Sequence, residues 1–227
     1  MAQTAVIADI HSNLEAFKKV IGEINKRGIK KIYCCGDIVG YGAEQNECVN
    51  LIKKHKIISI KGNHDVSCIS LQDKDLFNEY GRAGIEYGNK TITEENKQFL
   101  FNLSTCLGLN GICFVHGSPI NRLWEYVYPD SPLSKFKNFF KKTKAGILVM
   151  GHTHIPFIKR IKDNLAVNPG SVGQPRDGDK RASFCILDPE TKEAEIIRID
   201  YNIKKTACRI KKAGLPDFTA ERLFSGF

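Results

Sequence analysis

The sequence lacks the features that mark a membrane-spanning or exported chain. No apolar stretch among its 227 residues approaches the roughly 18–20 residues that a membrane-spanning helix needs. The first residues carry no basic segment, and Asp9 and His11 interrupt the first apolar run, so no secretory leader is predicted. The eight cysteines include no C-x-x-C pair, which disfavours a zinc knuckle or a redox pair. We therefore expect a cytoplasmic protein with no membrane partner and with reduced cysteines that pack as small apolar side chains.

Internal repeats, low-complexity tracts and linkers are absent as well. We predict a single domain over residues 1–227, with a core at about 4–199 and a helical tail at about 202–227. The formal net charge of +9 would attract anions such as a small phosphorylated substrate. The lysines are scattered and do not alternate with aromatic residues, so nucleic-acid binding is the weaker interpretation. Nothing in the sequence indicates an oligomeric state.

The periodicity of apolar residues predicts an α/β fold. A helix is expected to begin at Ser12, with Glu15 completing a capping box, and to end at Gly28. It alternates with strands and a second helix in the order β-α-β-α-β, which indicates a parallel sheet. The strands are expected at residues 5–8, 31–35 and 57–60, and the second helix at 44–54.

The second half of the sequence predicts antiparallel strand pairs. Asn110-Gly111 is typical of a type I′ hairpin turn, and Asp163-Asn164 is expected to join a second hairpin. We therefore expect two sheets packed face to face with helices outside. The remaining helices are expected at 73–87, 93–103 and 134–142, and the remaining strands at 147–150, 157–161, 165–168, 183–187 and 194–199.

Metal-ligand residue types follow five of the predicted strands. Because the carboxyl ends of parallel strands meet at one edge of a sheet, these segments are expected to converge. Carboxylates and imidazoles together suit borderline divalent ions. The segments are Asp9-Ile10-His11, Gly36-Asp37, Gly62-Asn63-His64-Asp65, His116-Gly117 and Gly151-His152-Thr153-His154. His55 lies among lysines at a helix end and is expected to be inert.

These ligands are too many for one ion that must also leave room for water. Two ions that share a bridging carboxylate, at about 3.5–4 Å separation, would accommodate them. A hydroxide between the ions would then be the natural nucleophile. Any one of the histidines alone would more often be a structural residue, and only the ordered set of five segments indicates a metal site.

The five segments resemble the calcineurin-like metallophosphoesterase superfamily. Its pattern runs D-x-H, G-D, G-N-H-[DE], a later H and G-H-x-H, and the resemblance extends over about residues 4–199. Two further segments look like the small, single-domain prokaryotic branch of YfcE-like phosphodiesterases. These are Gly36-Asp37-Ile38-Val39-Gly40-Tyr41-Gly42 and Asn168-Pro169-Gly170-Ser171-Val172-Gly173-Gln174-Pro175-Arg176.

The resemblance implies a four-layer α-β-β-α sandwich of two mixed sheets flanked by helices, and it implies ligand roles. Asp37 would bridge the ions, His64 would contact the phosphate without binding metal, and Asp65 would orient His64. Asn63 would also lie against the substrate. One ion would be held by Asp9, His11 and His154, and the other by Asn63, His116 and His152. Manganese is the preferred ion, with Fe, Ni, Co, Zn and Mg as alternatives.

One departure concerns phosphate binding. Large protein phosphatases of this superfamily carry an arginine soon after the G-D motif, but Tyr41 and its neighbours occupy that stretch here. Arg176 and Arg122 are the other candidates for anion contact. Residues 68–103 and 121–132 are expected to frame the pocket, with their aromatic side chains (Trp124, Tyr126 and Tyr128) expected to fill core rather than to stack on a substrate.

The function expected from this sequence is metal-dependent hydrolysis of phosphate esters. A phosphodiesterase acting on a small or nucleotide-like substrate is preferred. The alternatives are a phosphomonoesterase or protein phosphatase, a non-catalytic interaction scaffold of the same fold, and a nuclease.

Overall fold

The computed structural model describes residues 3–227, and ten strands form two five-stranded sheets within that range. The strands are β1 (Thr4–Ile7), β2 (Ile32–Cys34), β3 (Ile58–Ser59), β4 (Cys106–Leu109), β5 (Ile112–Val115), β6 (Ile147–Val149), β7 (Phe157–Ile161), β8 (Asn164–Asn168), β9 (Ala182–Asp188) and β10 (Glu193–Ile199). The helices are α1 (Leu14–Lys26), α2 (Gln45–Lys54), α3 (Asn63–Ser70), α4 (Glu79–Thr91), α5 (Glu94–Asn102), α6 (Leu133–Thr143), α7 (Ile203–Lys212) and α8 (Asp217–Glu221).

Both sheets are mixed, as expected. The first sheet has the strand order β10-β9-β1-β2-β3, in which β1, β2 and β3 are parallel and β9 and β10 are antiparallel. The second has the order β4-β5-β6-β8-β7, with β5, β6 and β8 parallel between two antiparallel edge strands. The carboxyl ends of the parallel strands can therefore supply a shared site.

The alternation of side chains along the strands produces the layers. Ile7 packs towards α1, whereas Val6 lies in the core between the two sheets. In β6, Val149 lies between the sheets and Leu148 packs on the other face with Phe136 of α6. Successive residues of a strand point to opposite faces, so each sheet is buried on both sides. The predicted four-layer α-β-β-α sandwich is confirmed.

The beginning of α1 differs by one residue from the prediction. Asn13, rather than Ser12, caps the helix, because its Oδ1 accepts a hydrogen bond from the Ala16 amide at 3.2 Å. Ser12 has a φ of 54° and belongs to the turn that precedes the helix. Glu15 lies in the first turn but makes an ion pair with Lys205 at 2.8 Å. The expected capping box is therefore wrong.

The segment after β3 also differs from the prediction. Helix α3 begins directly at Asn63, where the sequence indicated only a ligand loop. The single helix expected at 73–87 is a short 3-10 turn (Lys74–Leu76) followed by α4. Asn78 causes this division, because its Oδ1 accepts a hydrogen bond from the Gly81 amide at 2.9 Å and so caps α4.

One of the two predicted hairpin turns lies where it was expected, and the other lies one residue earlier in the chain. Asn110 and Gly111 have φ values of 49° and 76°, as the two central residues of a type I′ turn require. In the second hairpin the turn lies at Lys162 and Asp163, because Asn164 already pairs with Ile161 in the sheet. The turn expected at Asp163-Asn164 is therefore one residue too late.

The tail after residue 202 packs against α1 and the residue that precedes α2. The Thr206 hydroxyl donates to Asn13 Oδ1 at 2.9 Å, which connects α7 to the cap of α1. Arg209 makes ion pairs with Glu15, at 3.1 Å, and with Glu44. Gly214 and Pro216 separate α7 from α8, as predicted.

The state of the cysteines can be compared with the predicted reduced and buried thiols. All eight cysteines are free thiols, and five of them are buried. Cys208 is exposed and Cys106 and Cys113 are half-buried, so the expected burial holds for the other five only. In residues 3–227, no helix has the length and apolar character to cross a bilayer.

The buried face of α1 should contribute strongly to stability. Phe17 is fully buried in the core between α1 and the first sheet, whereas Phe101 in α5 is 60% exposed. Phe17→Ala should lower the free energy of unfolding by about 3–5 kcal/mol, and Phe101→Ala by no more than about 1 kcal/mol. Urea denaturation followed by circular dichroism measures both. Equal effects of the two substitutions would contradict this assignment of the core.

Candidate metal centre

The predicted ligand residues converge at the carboxyl ends of parallel strands from both sheets. Asp9 and His11 follow β1, Asp37 follows β2, and Asn63 opens the helix after β3. From the second sheet, His116 follows β5, and His152 and His154 follow β6. All seven side chains are at most 4% exposed. A buried cluster of carboxylates, imidazoles and an amide therefore lies where the two sheets meet.

Asp9, His11 and His154 form the first group of this cluster. His11 Nδ1 lies 3.2 Å from the Val39 carbonyl, and His154 Nδ1 lies 2.6 Å from the Gln174 carbonyl. Because a carbonyl only accepts, both Nδ1 atoms must carry the proton of a neutral ring. The two Nε2 lone pairs then face each other at 3.0 Å. Asp9 Oδ1 lies 3.6 Å from His154 Nε2 and adds a third acceptor.

The second group is built around His116. Its Nδ1 donates to the Cys35 carbonyl at 2.9 Å, which leaves Nε2 as the free acceptor of the neutral ring. Three further ligand atoms lie near this Nε2: Asn63 Oδ1 at 3.0 Å, His152 Nδ1 at 3.1 Å and Asp37 Oδ2 at 3.2 Å. Four potential ligand atoms thus surround one small volume.

Asp37 connects the two groups. Its Oδ1 accepts a hydrogen bond from the His64 amide at 2.9 Å, which fixes the carboxylate. Its Oδ2 lies 3.2 Å from His116 Nε2 and 3.7 Å from His11 Nε2, between the two groups. His152 Nε2 is buried and has no hydrogen-bond partner. Acceptors that face one another in a dry site need cations, so this donor set fits divalent metal ions.

The pKa values of the imidazoles agree with a ligand role. Burial, together with neighbouring cationic groups, lowers the pKa of His11 and of His154 well below the usual value. Burial and the nearby His116 lower the pKa of His152 to about 3. These rings are therefore neutral near pH 7, which is the form that binds metal.

Asp37 and His116 behave as a charge pair. Burial alone would raise the pKa of Asp37, but His116 and His64 hold it below its usual range. Burial would lower the pKa of His116, yet Asp37 raises it to about 9. In the metal-free protein a proton on His116 therefore balances the charge of Asp37. A metal ion would have to displace that proton in order to bind His116.

The backbone around the cluster adopts conformations that non-glycine residues rarely use. Five of the seven predicted ligands (Asp9, His11, Asp37, His152 and His154) have φ between 48° and 69°. Such left-handed residues are costly, and they tend to cluster at functional sites. A glycine is needed at position 62 because the backbone there lies directly against the Asp37 side chain. A Cβ on residue 62 would lie 2.1 Å from Asp37 Oδ1.

His64 and Asp65 lie beside the ligands, but Asp65 does not act as expected. The two Asp65 oxygens accept hydrogen bonds from the amides of Ile38, Val39 and Gly62 at 2.9–3.1 Å. Asp65 thus joins the Asp37 loop to the start of α3, and its carboxylate makes no hydrogen bond with the His64 ring. The expected orienting role is replaced by this backbone role, which the sequence did not indicate.

The His64 ring is positioned by aromatic contacts instead. Its centroid lies 4.8 Å from that of His11, 4.6 Å from that of Tyr41 and 4.6 Å from that of Phe77. His64 lines an open cavity of about 160 Å³ in front of the ligands. His64 also lies close enough to His11 and Asp37 to be a ligand itself, so its role has to be tested.

The two candidate arginines lie in different places. Arg176 lines the same cavity as His64, with its Nη2 donating to Gln174 Oε1 at 2.8 Å and its guanidinium 5.5 Å from the Tyr41 ring. Its Nε is buried without a partner, so Arg176 can bind an anion. Arg122 bonds Thr105 Oγ1 at 3.3 Å and lines a different depression, and the structure does not bring it to the metal ligands.

The aromatic segment after His116 also lies at the cavity. Trp124 and Tyr126 line it, and the Tyr126 ring stacks on His152 with centroids 4.0 Å apart. Tyr126 is 45% exposed and Tyr128 41% exposed, so the expectation that this segment fills core is wrong. Its short polar and aromatic pattern has no periodicity that could have revealed which side chains face the site.

A model of the calcineurin-like phosphoesterase superfamily domain matches residues 3–192. The chain belongs to this superfamily. The protein MJ0912 of Methanocaldococcus jannaschii is 43% identical over 98% of this chain and 97% of its own length. The crystal structure of a metallophosphoesterase from Sphaerobacter thermophilus has a TM-score of 0.88, 31% identity and full coverage of both chains. Phosphodiesterase YfcE of Escherichia coli is 25% identical over 83% of this chain and 88% of its own length.

These similarities confirm the expected relationship to calcineurin-like and YfcE-like enzymes. The protein is therefore a metal-dependent phosphoesterase, and the family implies divalent metal ions, for which the clustered acidic and imidazole groups are the candidate ligands. The match ends at residue 192, so it does not include β10 and the helical tail.

The close packing at Gly62 allows the candidate metal centre to be tested without replacing any of the ligand residues. In Gly62→Ala the new Cβ would collide with Asp37 Oδ1 and lie 2.7 Å from the Asp37 amide nitrogen, so Asp37 must shift. We expect bound metal per chain to fall while the far-ultraviolet circular dichroism is retained. Gly22→Ala in α1, with nothing within 4 Å of its Cβ, is the matched control. Wild-type metal content in Gly62→Ala, by elemental analysis after dialysis, would contradict the assigned centre.

Proposed function

We propose that the protein hydrolyses phosphodiesters with two divalent metal ions bound at this centre. The observation that carries the proposal is the position of Asp37 Oδ2 between His116 Nε2 and His11 Nε2. One ion would be held by Asp9, His11 and His154, the other by Asn63, His116 and His152, and Asp37 would bind both. The mixture of oxygen and nitrogen ligands suits borderline ions, among which Mn²⁺ is our first choice.

The residues of the chain would bind and orient the ester in front of the ions. When bound, the two ions supply Lewis acidity to the phosphoryl group and lower the pKa of water. Arg176 would bind a phosphoryl oxygen with its guanidinium. His64 would donate a hydrogen bond to an ester or phosphoryl oxygen and so stabilise the negative charge that develops in the transition state.

The charge of the cavity supports a diester over a monoester. Arg176 is the one cationic side chain besides histidines among the residues that line it, and Leu76, Phe77 and Trp124 give it apolar walls. A phosphodiester carries one negative charge and a second organic group, whereas a monoester carries up to two charges and only one such group. The likeness to phosphodiesterase YfcE supports the same choice.

The substrate panel that tests this choice contains phosphomonoesters, phosphodiesters and cyclic nucleotides, each with Mn²⁺, Ni²⁺, Co²⁺ and Mg²⁺. Faster hydrolysis of diesters is expected, and a preference for monoesters would favour a phosphomonoesterase or protein phosphatase. Normal metal loading without turnover of any ester would favour the non-catalytic scaffold. A steep salt dependence of nucleic-acid binding would favour a nuclease.

We also infer that the protein functions in the cytoplasm. The inference is supported by the eight free cysteines, five of them buried, because such thiols are typical of a reducing compartment.

Replacement of His64 separates catalysis from metal binding. His64→Ala should lower kcat by about 10²–10⁴ while both metals stay bound, because the proposal gives His64 a hydrogen bond to substrate and no metal. Asp37→Asn should lose metal as well as activity. His55→Ala, at the end of α2 and outside the cavity, is the control histidine substitution. Loss of metal from His64→Ala, measured by elemental analysis, would make His64 a ligand and the proposed role wrong.

A further inference from the structure

Aromatic side chains form one wall of the cavity, and the proposed hydrolysis uses none of them. Phe77 contacts the His64 ring edge-on at 4.6 Å and the Trp124 ring at 5.1 Å, with an interplanar angle of 61° for the second contact. Tyr126 stacks on His152 with an interplanar angle of 17°. Phe77, Trp124 and Tyr126, which we call the aromatic wall, therefore extend from the metal ligands towards solvent.

One member of the aromatic wall is exposed, and the other two are half-buried. Tyr126 is 45% exposed, and the neighbouring Leu76 at the same cavity is 66% exposed. Large apolar groups left open beside a polar site commonly mark a ligand-binding surface. The wall comes from two separate segments, one before α4 and one after β5, which meet only at the cavity.

The chemistry of the wall favours a planar ligand. The Tyr126 ring lies parallel to the His152 ring and, with centroids 6.0 Å apart, to the Tyr128 ring, and it is still 45% exposed, so a flat group in the cavity can contact its open part. The charges that line the cavity lie at its floor, on Asp37 and Arg176, and no lysine lines it. A phosphoryl group at the floor and an uncharged ring against the wall would use both parts of the cavity.

We propose that the aromatic wall binds a planar aromatic group of the substrate and so selects phosphodiesters that carry a nucleobase or an aryl ring. The inference rests on the proposed function for the phosphoryl site but concerns a different part of the cavity. Asn78 also lines the cavity, and its Oδ1 is used to cap α4, which leaves its amide NH₂ to donate to a ring acceptor. A nucleobase has such acceptors and a phenyl ring does not.

Tryptophan fluorescence provides a binding assay that does not depend on turnover. The chain has one tryptophan, Trp124, and it belongs to the wall. The Mn²⁺-loaded protein is titrated with adenosine monophosphate, phenyl phosphate, ribose 5-phosphate and inorganic phosphate, with excitation near 295 nm. Base–aromatic stacking of about 1–3 kcal/mol converts to about 5- to 150-fold in affinity, so adenosine monophosphate should bind at least about fivefold more tightly than ribose 5-phosphate.

Substitutions then test whether Tyr126 is responsible for the tighter binding of adenosine monophosphate. Tyr126→Leu should remove most of the advantage of adenosine monophosphate and leave the affinity for inorganic phosphate unchanged, and Tyr126→Phe should retain that advantage. Phe101→Leu, an aromatic replacement in α5 that is 60% exposed and outside the cavity lining, is the control. Equal weakening by Tyr126→Leu and Phe101→Leu, or equal binding of adenosine and ribose phosphates to the wild type, would overturn the proposal.

Two further outcomes identify the ring and separate this inference from the proposed function. Binding of phenyl phosphate as tight as that of adenosine monophosphate would indicate an aryl group, and a loss of affinity in Asn78→Ser for the adenosine compound alone would indicate a base. If ring-dependent binding is found but no ester is hydrolysed, the aromatic wall is supported and the proposed function is wrong. If diesters are hydrolysed at equal rates with and without a ring, the proposed function is supported and the ring selectivity is overturned.

Discussion

The crowding of hydrogen-bond acceptors in one buried cluster is the constraint on which this structure depends. His11 and His154 direct unprotonated nitrogens at each other, while the oxygens of Asn63 and Asp37 converge on His116 Nε2. Each of these groups would be costly to bury alone. Divalent cations turn the repulsion into coordination, so the arrangement of the ligands and the requirement for metal have the same physical cause.

The surrounding structure holds these side chains in place in two ways. Backbone carbonyls accept from Nδ1 of three histidines, which leaves their Nε2 atoms as candidate ligands. The loops between strand and ligand pass through left-handed conformations, and Asp65 ties one of these loops to α3 through two amide donors, those of Ile38 and Val39. The local strain is tolerated because β1, β2, β5 and β6, which lead into these loops, are buried in the sandwich.

The part of the molecule in front of the ligands comes from segments of a different kind. Phe77 precedes α4, and Trp124 and Tyr126 lie between β5 and α6, outside both sheets. Loops carried by a rigid scaffold commonly determine what a site accepts. In this protein the strand ends would carry out the chemistry, and these connecting segments would choose the ester.

The sequence by itself determined the strands, most of the helices and the set of candidate ligands, because these features depend on periodicity and on residues at strand ends. Asp9 and His11 or His152 and His154 can be identified from spacing alone, since both members of each pair follow one strand. The sequence did not place the cap at Asn13, the start of α3 at Asn63 or the Asp65 bonds. These three features depend on the backbone conformation of a loop and on the amide groups, distant in sequence, that lie within hydrogen-bond distance of it.

Only the tertiary structure decided that Arg176 lies at the cavity and Arg122 elsewhere, and that Tyr126 faces solvent beside His152. Each of these positions depends on contacts between segments far apart in the chain, and no local pattern of residues encodes such contacts.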